Sequence, residues 1–203
     1  MLRLSPLIVC FFSCIVFQLQ AQTKVVGECT ITYDIHQISS NGDTSLVGQK
    51  QVFIKGNSCK TILTTPEIIQ TLIFNTQQET AIILKEIGLN RFLQYIQYAS
   101  ISPVNLVASK KNGVVSSILE YPCESITLSW ADGTSMDVTY TNVILPTVTV
   151  YEQAFKEIPG LVMRYQLTTK LGNTIIYSAN KLDLSPIRLN VFEVNKEKYQ
   201  RIN

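Results

Sequence analysis

Ile126-Thr127-Leu128-Ser129-Trp130-Ala131-Asp132-Gly133-Thr134-Ser135-Met136-Asp137-Val138-Thr139-Tyr140 is the stretch that decides the fold. Ile126, Leu128 and Trp130 alternate with polar residues, Asp132-Gly133 supplies a tight turn, and Met136, Val138 and Tyr140 return with the same alternation. Successive side chains of a strand point to opposite faces, so the pattern predicts a β-hairpin with one buried face and one wet face.

The same signature recurs in both directions. Toward the C-terminus, Leu161, Met163, Tyr165 and Leu167 alternate with Val162, Arg164, Gln166 and Thr168, and Gly172-Asn173 turns the chain into Ile175, Tyr177 and Ala179. Toward the N-terminus, Lys24 to Ile38 alternates as well; Asn41-Gly42-Asp43 then turns the chain into Gln51 to Lys55, which ends at Gly56-Asn57. Cys59 to Thr64, Gln70 to Phe74, Thr80 to Lys85 and Gly113 to Glu120 are short, β-branched or aromatic, and bounded by turn residues. About nine to eleven such strands with few helical patterns predict a mainly β (α+β) fold around one large antiparallel sheet.

A twisted sheet of that width closes, splits or wraps around something. The prediction is an open, curled half-barrel with one or two short helices on its concave side. The candidates are Leu89 to Ile101, with Phe92, Leu93, Tyr95 and Ile96, and, more weakly, Thr149 to Phe155. With no linker, repeat or low-complexity tract, residues 22–203 read as a single domain.

Met1 to Ala21 is different in kind. Arg3 precedes an apolar run from Leu7 to Phe17, which closes in Gln18-Leu19-Gln20-Ala21. This reads as a secretory signal peptide, and its run is shorter than the ~20 residues of a membrane span. The alternative, a lipoprotein signal acylated at Cys14, is disfavoured by bulky Phe11-Phe12 before it and apolar residues after it. Export predicts a periplasmic or secreted protein with Cys29, Cys59 and Cys123 in an oxidising space. Three cysteines allow one intramolecular bridge. Cys29 sits in an alternating strand, whereas Cys59 and Cys123 lie beside turn signals, so a Cys59 to Cys123 disulfide is the expected pairing.

The 203 residues carry 17 basic and 15 acidic side chains, a balance that disfavours nucleic-acid binding. A single histidine, His36, excludes histidine-pair metal sites, and the cysteines form no Cys-x-x-Cys pair, so neither a metal nor a cofactor is expected. Asp34, His36 and Ser39-Ser40 could be drawn as a triad, but no Gly-x-Ser-x-Gly elbow accompanies them. Glu120 and Glu124 flank Tyr121-Pro122-Cys123 and read as solvated strand-end acids, and Lys110-Lys111-Asn112-Gly113 reads as a basic turn that keeps an edge soluble. No catalytic residue is expected. Trp130, Tyr140, Leu161, Tyr165 and Tyr177 fall on inward positions and either line an apolar cavity or form core.

Tyr121-Pro122-Cys123, Asp132-Gly133-Thr134, Tyr140-Thr141 and Phe155-Lys156-Glu157-Ile158-Pro159-Gly160-Leu161-Val162 complete the picture. In order and spacing they resemble the GLPGLI family of exported proteins of Gram-negative bacteria. Pro159, Gly160 and Leu161 match that string identically, Ile158 and Val162 conservatively, and Glu157 departs from its leading glycine. Lys55-Gly56-Asn57 with Cys59-Lys60-Thr61 resembles its early strand turn. The resemblance implies an open, helix-plugged half-barrel like those of periplasmic lipoprotein carriers; the family's function is largely unknown and supplies no catalytic residues. Pro159-Gly160 reads as a sharp turn, with glycine taking a left-handed position. Together these readings predict a non-enzymatic envelope protein that accommodates an apolar ligand, such as a lipid or lipoprotein acyl chain. The alternatives are a sensor module binding an envelope protein partner and, less favoured, a hydrolase.

Overall fold

The computed structural model describes residues 23–97, 106–131, 133–149, 151–156, 158–168 and 173–202. Residues 1–21, read above as a signal peptide, and Asp132, Glu157 and Gly172 of the turn and motif readings lie outside them. The strands are β1 (Lys24–Val26), β2 (Glu28–Ile38), β3 (Thr44–Lys55), β4 (Ser58–Thr64), β5 (Ile69–Asn75), β6 (Thr80–Ile87) and β7 (Asn90–Gln97). They continue with β8 (Leu106–Ile118), β9 (Tyr121–Trp130), β10 (Ser135–Thr141), β11 (Ile144–Pro146), β12 (Leu161–Thr168), β13 (Thr174–Asp183) and β14 (Gln200–Arg201). Twelve of them form one sheet in the order β14-β7-β6-β5-β4-β3-β2-β13-β12-β10-β9-β8, while β1 and β11 pair in parallel as a separate two-stranded sheet.

Covalent geometry alone requires this sheet to curl. β7 and β8 follow each other in the chain yet stand ten strand positions apart. At ~4.8 Å per strand a flat sheet would separate them by about 48 Å. Gln97 and Leu106 are nine residues apart, and an extended chain of that length reaches only about 32 Å. The two margins of the sheet therefore bend toward each other, giving the open, curled architecture predicted from sequence.

Register identifies the inner face. Cys29, Ile31, Tyr33 and Ile35 of β2 are buried, and β3 sets Ile54, Val52 and Lys50 opposite the first three. The same rows continue across β4 to β7 as Cys59-Phe74-Ala81-Ile96, Thr61-Leu72-Ile83-Gln94 and Leu63-Gln70-Lys85-Phe92. On the other side, Tyr177, Tyr165, Val138 and Ile126 pair across β13, β12, β10 and β9. One core joins both halves.

The expected Leu89 to Ile101 helix is corrected: its described part is β7, entered through a Gly88-Leu89 turn with Gly88 at φ 58°. Both faces of β7 are apolar because the outer one is covered too, which blurs the period-two signal. After β13 the chain crosses the outer face of β4–β7. There Lys60 Nζ donates to the Val191 carbonyl at 2.8 Å, the Tyr199 hydroxyl donates to Glu86 at 2.8 Å, and β14 pairs with Phe92 and Leu93. The outward side chains Thr71, Leu84 and Leu93 are buried there. The second helix candidate reduces to a 3-10 turn at Gln153–Phe155.

The tail is tethered where it begins. Glu28 accepts from Lys55 Nζ at 2.6 Å and from the Ile187 backbone N–H at 2.6 Å, and these bonds hold its carboxyl below the ordinary range. A depressed pKa contributes stability above the unfolded-state value and loses it as pH falls through the folded one. Urea titrations of the native chain and Glu28→Gln should therefore differ at neutral pH and converge in acid, below the ordinary carboxylate range.

The Lys110 to Gly113 turn is also corrected. These residues lie within β8, where Gly113 at φ 83° accompanies one of three register shifts, and the reversal comes at Leu119-Glu120. That two-residue loop has φ 50° at Leu119 and φ 67° at Glu120, the backbone of a type I′ turn built without glycine. Left-handed backbone strains residues that carry a Cβ. Glu120→Gly should raise stability by about 1 kcal/mol in chemical denaturation.

Candidate functional site

The segment between β11 and β12 crosses the inner face and fills half of it. Val148, Tyr151, Phe155 and Ile158 are all buried there. Phe155 meets Tyr151 edge-on at 5.3 Å and Tyr165 at 5.0 Å, and Tyr165 stacks on Tyr177 with ring centroids 4.4 Å apart. Such pairs stabilise a core by about 1 kcal/mol each beyond their burial.

Polar groups within this plug are closed on one another. β13 pairs with β12 only from Arg164 onward, leaving Val162 short of a ladder partner on that side. The Tyr33 hydroxyl donates to the Val162 carbonyl at 2.8 Å, and the Val162 N–H donates to the Tyr151 hydroxyl at 3.2 Å. Tyr151 then donates to Tyr33 at 3.3 Å, completing a ring. Burial pushes the Tyr33, Tyr151 and Tyr165 phenols far up, so they stay protonated. At the edge of the plug, Lys50 is 4% exposed. Its Nζ pairs with Glu152, donates to the Tyr165 hydroxyl at 3.1 Å, and lies 5.6 and 5.7 Å from the Tyr165 and Tyr177 ring centres.

The residues named from sequence separate here. Tyr140 and Leu161 have no exposed surface and Tyr165 has 4%, so no water-sized space touches the first two, and these three are packed core. Tyr140 also donates to Glu124 at 2.8 Å, and burial pushes its phenol up to about 12. Trp130 and Tyr177 keep partial exposure. Sequence reasoning missed the other half of the inner face, where Leu63, Leu72, Ile83, Phe92 and Ile96 are all partly exposed. Alternation did not mark them, because outward Ile62, Ile73, Ile82, Leu84 and Leu93 make both faces of β4–β7 apolar.

The motif turn is corrected in its reason. Gly160 is absent from the left-handed conformation expected for it; it is buried, and a Cβ there would lie 2.1 Å from the Thr141 carbonyl oxygen. Glycine is needed for close approach of two backbones. The expected Cys59 to Cys123 bridge is not formed: Cys29, Cys59 and Cys123 are free and buried. Cys59 in β4 and Cys123 in β9 stand six strand positions apart, and alternation turns Cys123 away from the inward Ile126 and Leu128. Bridging needs Cα atoms within about 7 Å. Burial pushes Cys29 up to about 11 and raises the other two thiols. A thiol reagent should thus label none of the three quickly in the folded chain and all three in denaturant.

The groups drawn as a hydrolytic site are not assembled as one. Asp34 and His36 stand on the face opposite Tyr33 and Ile35, and Asp34 accepts from Asn180 at 2.7 Å. Glu124 accepts from Tyr140 and Asn142, whereas Glu120 is exposed at the hairpin tip. Among the described residues, no cluster of three His, Cys, Asp or Glu could hold a metal ion, and no helix is long and apolar enough to cross a membrane.

No family model and no curated protein matches the chain. Solved structures similar to it include that of PNGF-II, with a TM-score of 0.49 at 11% identity over 85% of this chain and 31% of that one. The chain thus spans under a third of PNGF-II's length. A LolA superfamily protein, NE2245 from Nitrosomonas europaea, gives a TM-score of 0.37 at 10% identity over 83% of this chain and 90% of that one.

Proposed function

We propose that this is an exported, non-enzymatic carrier of the cell envelope that holds an acyl chain against the inner face of β4–β7. The observation that carries the reading is the division of the concave face. One half is filled by the β11–β12 segment, and the other presents the partly exposed side chains of Leu63, Leu72, Ile83, Phe92 and Ile96. Burying about ten methylenes on such a surface gains roughly 8 kcal/mol before the cost of immobilising the chain.

Strand addition by a protein partner is the less favoured reading because the long free edge is guarded. β8 carries three register shifts and exposed Lys110 and Lys111, features that discourage edge pairing. Native mass spectrometry of the chain purified from its envelope without detergent, with lipid extraction of the same sample, tests the proposal. Bound acyl lipid at near-stoichiometric amounts is the expected result; a chain consistently free of lipid would overturn it.

A further inference from the structure

Resting on that reading, we infer that the ligand is a single-chain amphiphile with a carboxylate head, a fatty carboxylate, whose head takes the place of Glu152 on Lys50. The inner face has a direction. Its row Ile54-Cys59-Phe74-Ala81-Ile96 is apolar throughout, the next is mixed, and the row Lys50-Leu63-Gln70-Lys85-Phe92 carries two cations. A chain laid along the strands with its methyl end at the first row brings its head to the third.

Lys50 is suited to receive it. It lies at the boundary between the plugged half and the open half, directly opposite half-exposed Leu63. It is itself almost wholly buried, yet its partner Glu152 has a side chain 40% exposed. Losing that partner to water would leave a buried cation unpaired, which is costly; exchanging it for another carboxylate leaves Lys50 paired. The Tyr165 hydroxyl stays in place in either state, whereas Lys85, in the same row, lies three strands and about 14 Å away, beyond the screening length at physiological salt.

The test is displacement of a fluorescent fatty-acid probe by oleate and by oleyl alcohol, which share a chain and differ in the head. The native protein should prefer oleate by about two- to threefold, less than the tenfold of one charge-assisted hydrogen bond because Glu152 is displaced to make it. Lys50→Met should abolish the preference, Lys85→Met should leave it nearly unchanged, and Glu152→Gln, which removes the resident carboxylate, should tighten oleate binding severalfold. Equal binding of oleate and oleyl alcohol, or a preference that survives Lys50→Met, would overturn the inference and leave the carrier reading standing. Binding of neither would sink both. Tighter binding of monomeric lysophosphatidylglycerol than of oleate would overturn the choice of a carboxylate. If Lys50→Met does not fold, Glu152→Gln decides, since unchanged or weaker oleate binding contradicts the exchange.

Discussion

Gly160→Ala is expected to destabilise the chain by about 3 kcal/mol or more, lowering the melting temperature by roughly 6 to 12 °C for a domain of this size. The added methyl would sit 2.1 Å from the Thr141 oxygen, 2.9 Å from its carbonyl carbon and 3.2 Å from the Asn142 Cα. All three atoms belong to the backbone, so no side-chain rotation can make room. Thr141 is fully buried at the end of β10 and is held in register opposite Leu161, so the strand pair itself must shift. Pro159, one residue away, is exposed. Its replacement by alanine should cost under about 1 kcal/mol. Thermal melts of the two variants check the contrast; comparable losses would show that the turn, not the close approach, is what matters.

Glu152→Ala is expected to cost about 2 to 3 kcal/mol in urea denaturation. Breaking one side of a buried ion pair commonly costs 3–5 kcal/mol because the survivor stays buried and uncompensated. The figure is lowered here because the Glu152 side chain is 40% exposed and the Tyr165 hydroxyl remains beside Lys50. Lys50→Met should cost less, since it removes the buried charge and leaves a carboxylate that can turn to water. The double variant should sit close to Lys50→Met alone. A cycle in which the two losses simply add would show that the pair is not coupled across the plug.

The sheet was legible in the sequence because period two survives wherever one face is wet, as in Ile126 to Tyr140 and Leu161 to Leu167. It failed at β7, where Phe92 and Ile96 face inward, and Leu93 is buried outward on the face that the C-terminal segment crosses. Nothing local to Asn90–Gln97 announces that a segment a hundred residues away will cover it. The plug was half legible: Thr149 to Phe155 was placed on the concave side, but as a helix. Its anchors are long-range, Tyr151 to Tyr33 and Glu152 to Lys50, and a lysine in a strand reads as solvated until its pairing is known. The same limit explains Tyr165. An aromatic residue at an inward position has no local feature that distinguishes lining from packing; the packing of Phe155 and Tyr177 against it decides.

Placing the ligand is the most direct measurement. Tryptophan introduced at inward Ile83 or at outward Ile73, each in a Trp130→Phe background, should report contact with a brominated fatty acid through quenching of its fluorescence. Strong, saturable quenching is expected at position 83 and little at position 73. Equal quenching at the two positions, or none at position 83, would contradict binding on the inner face.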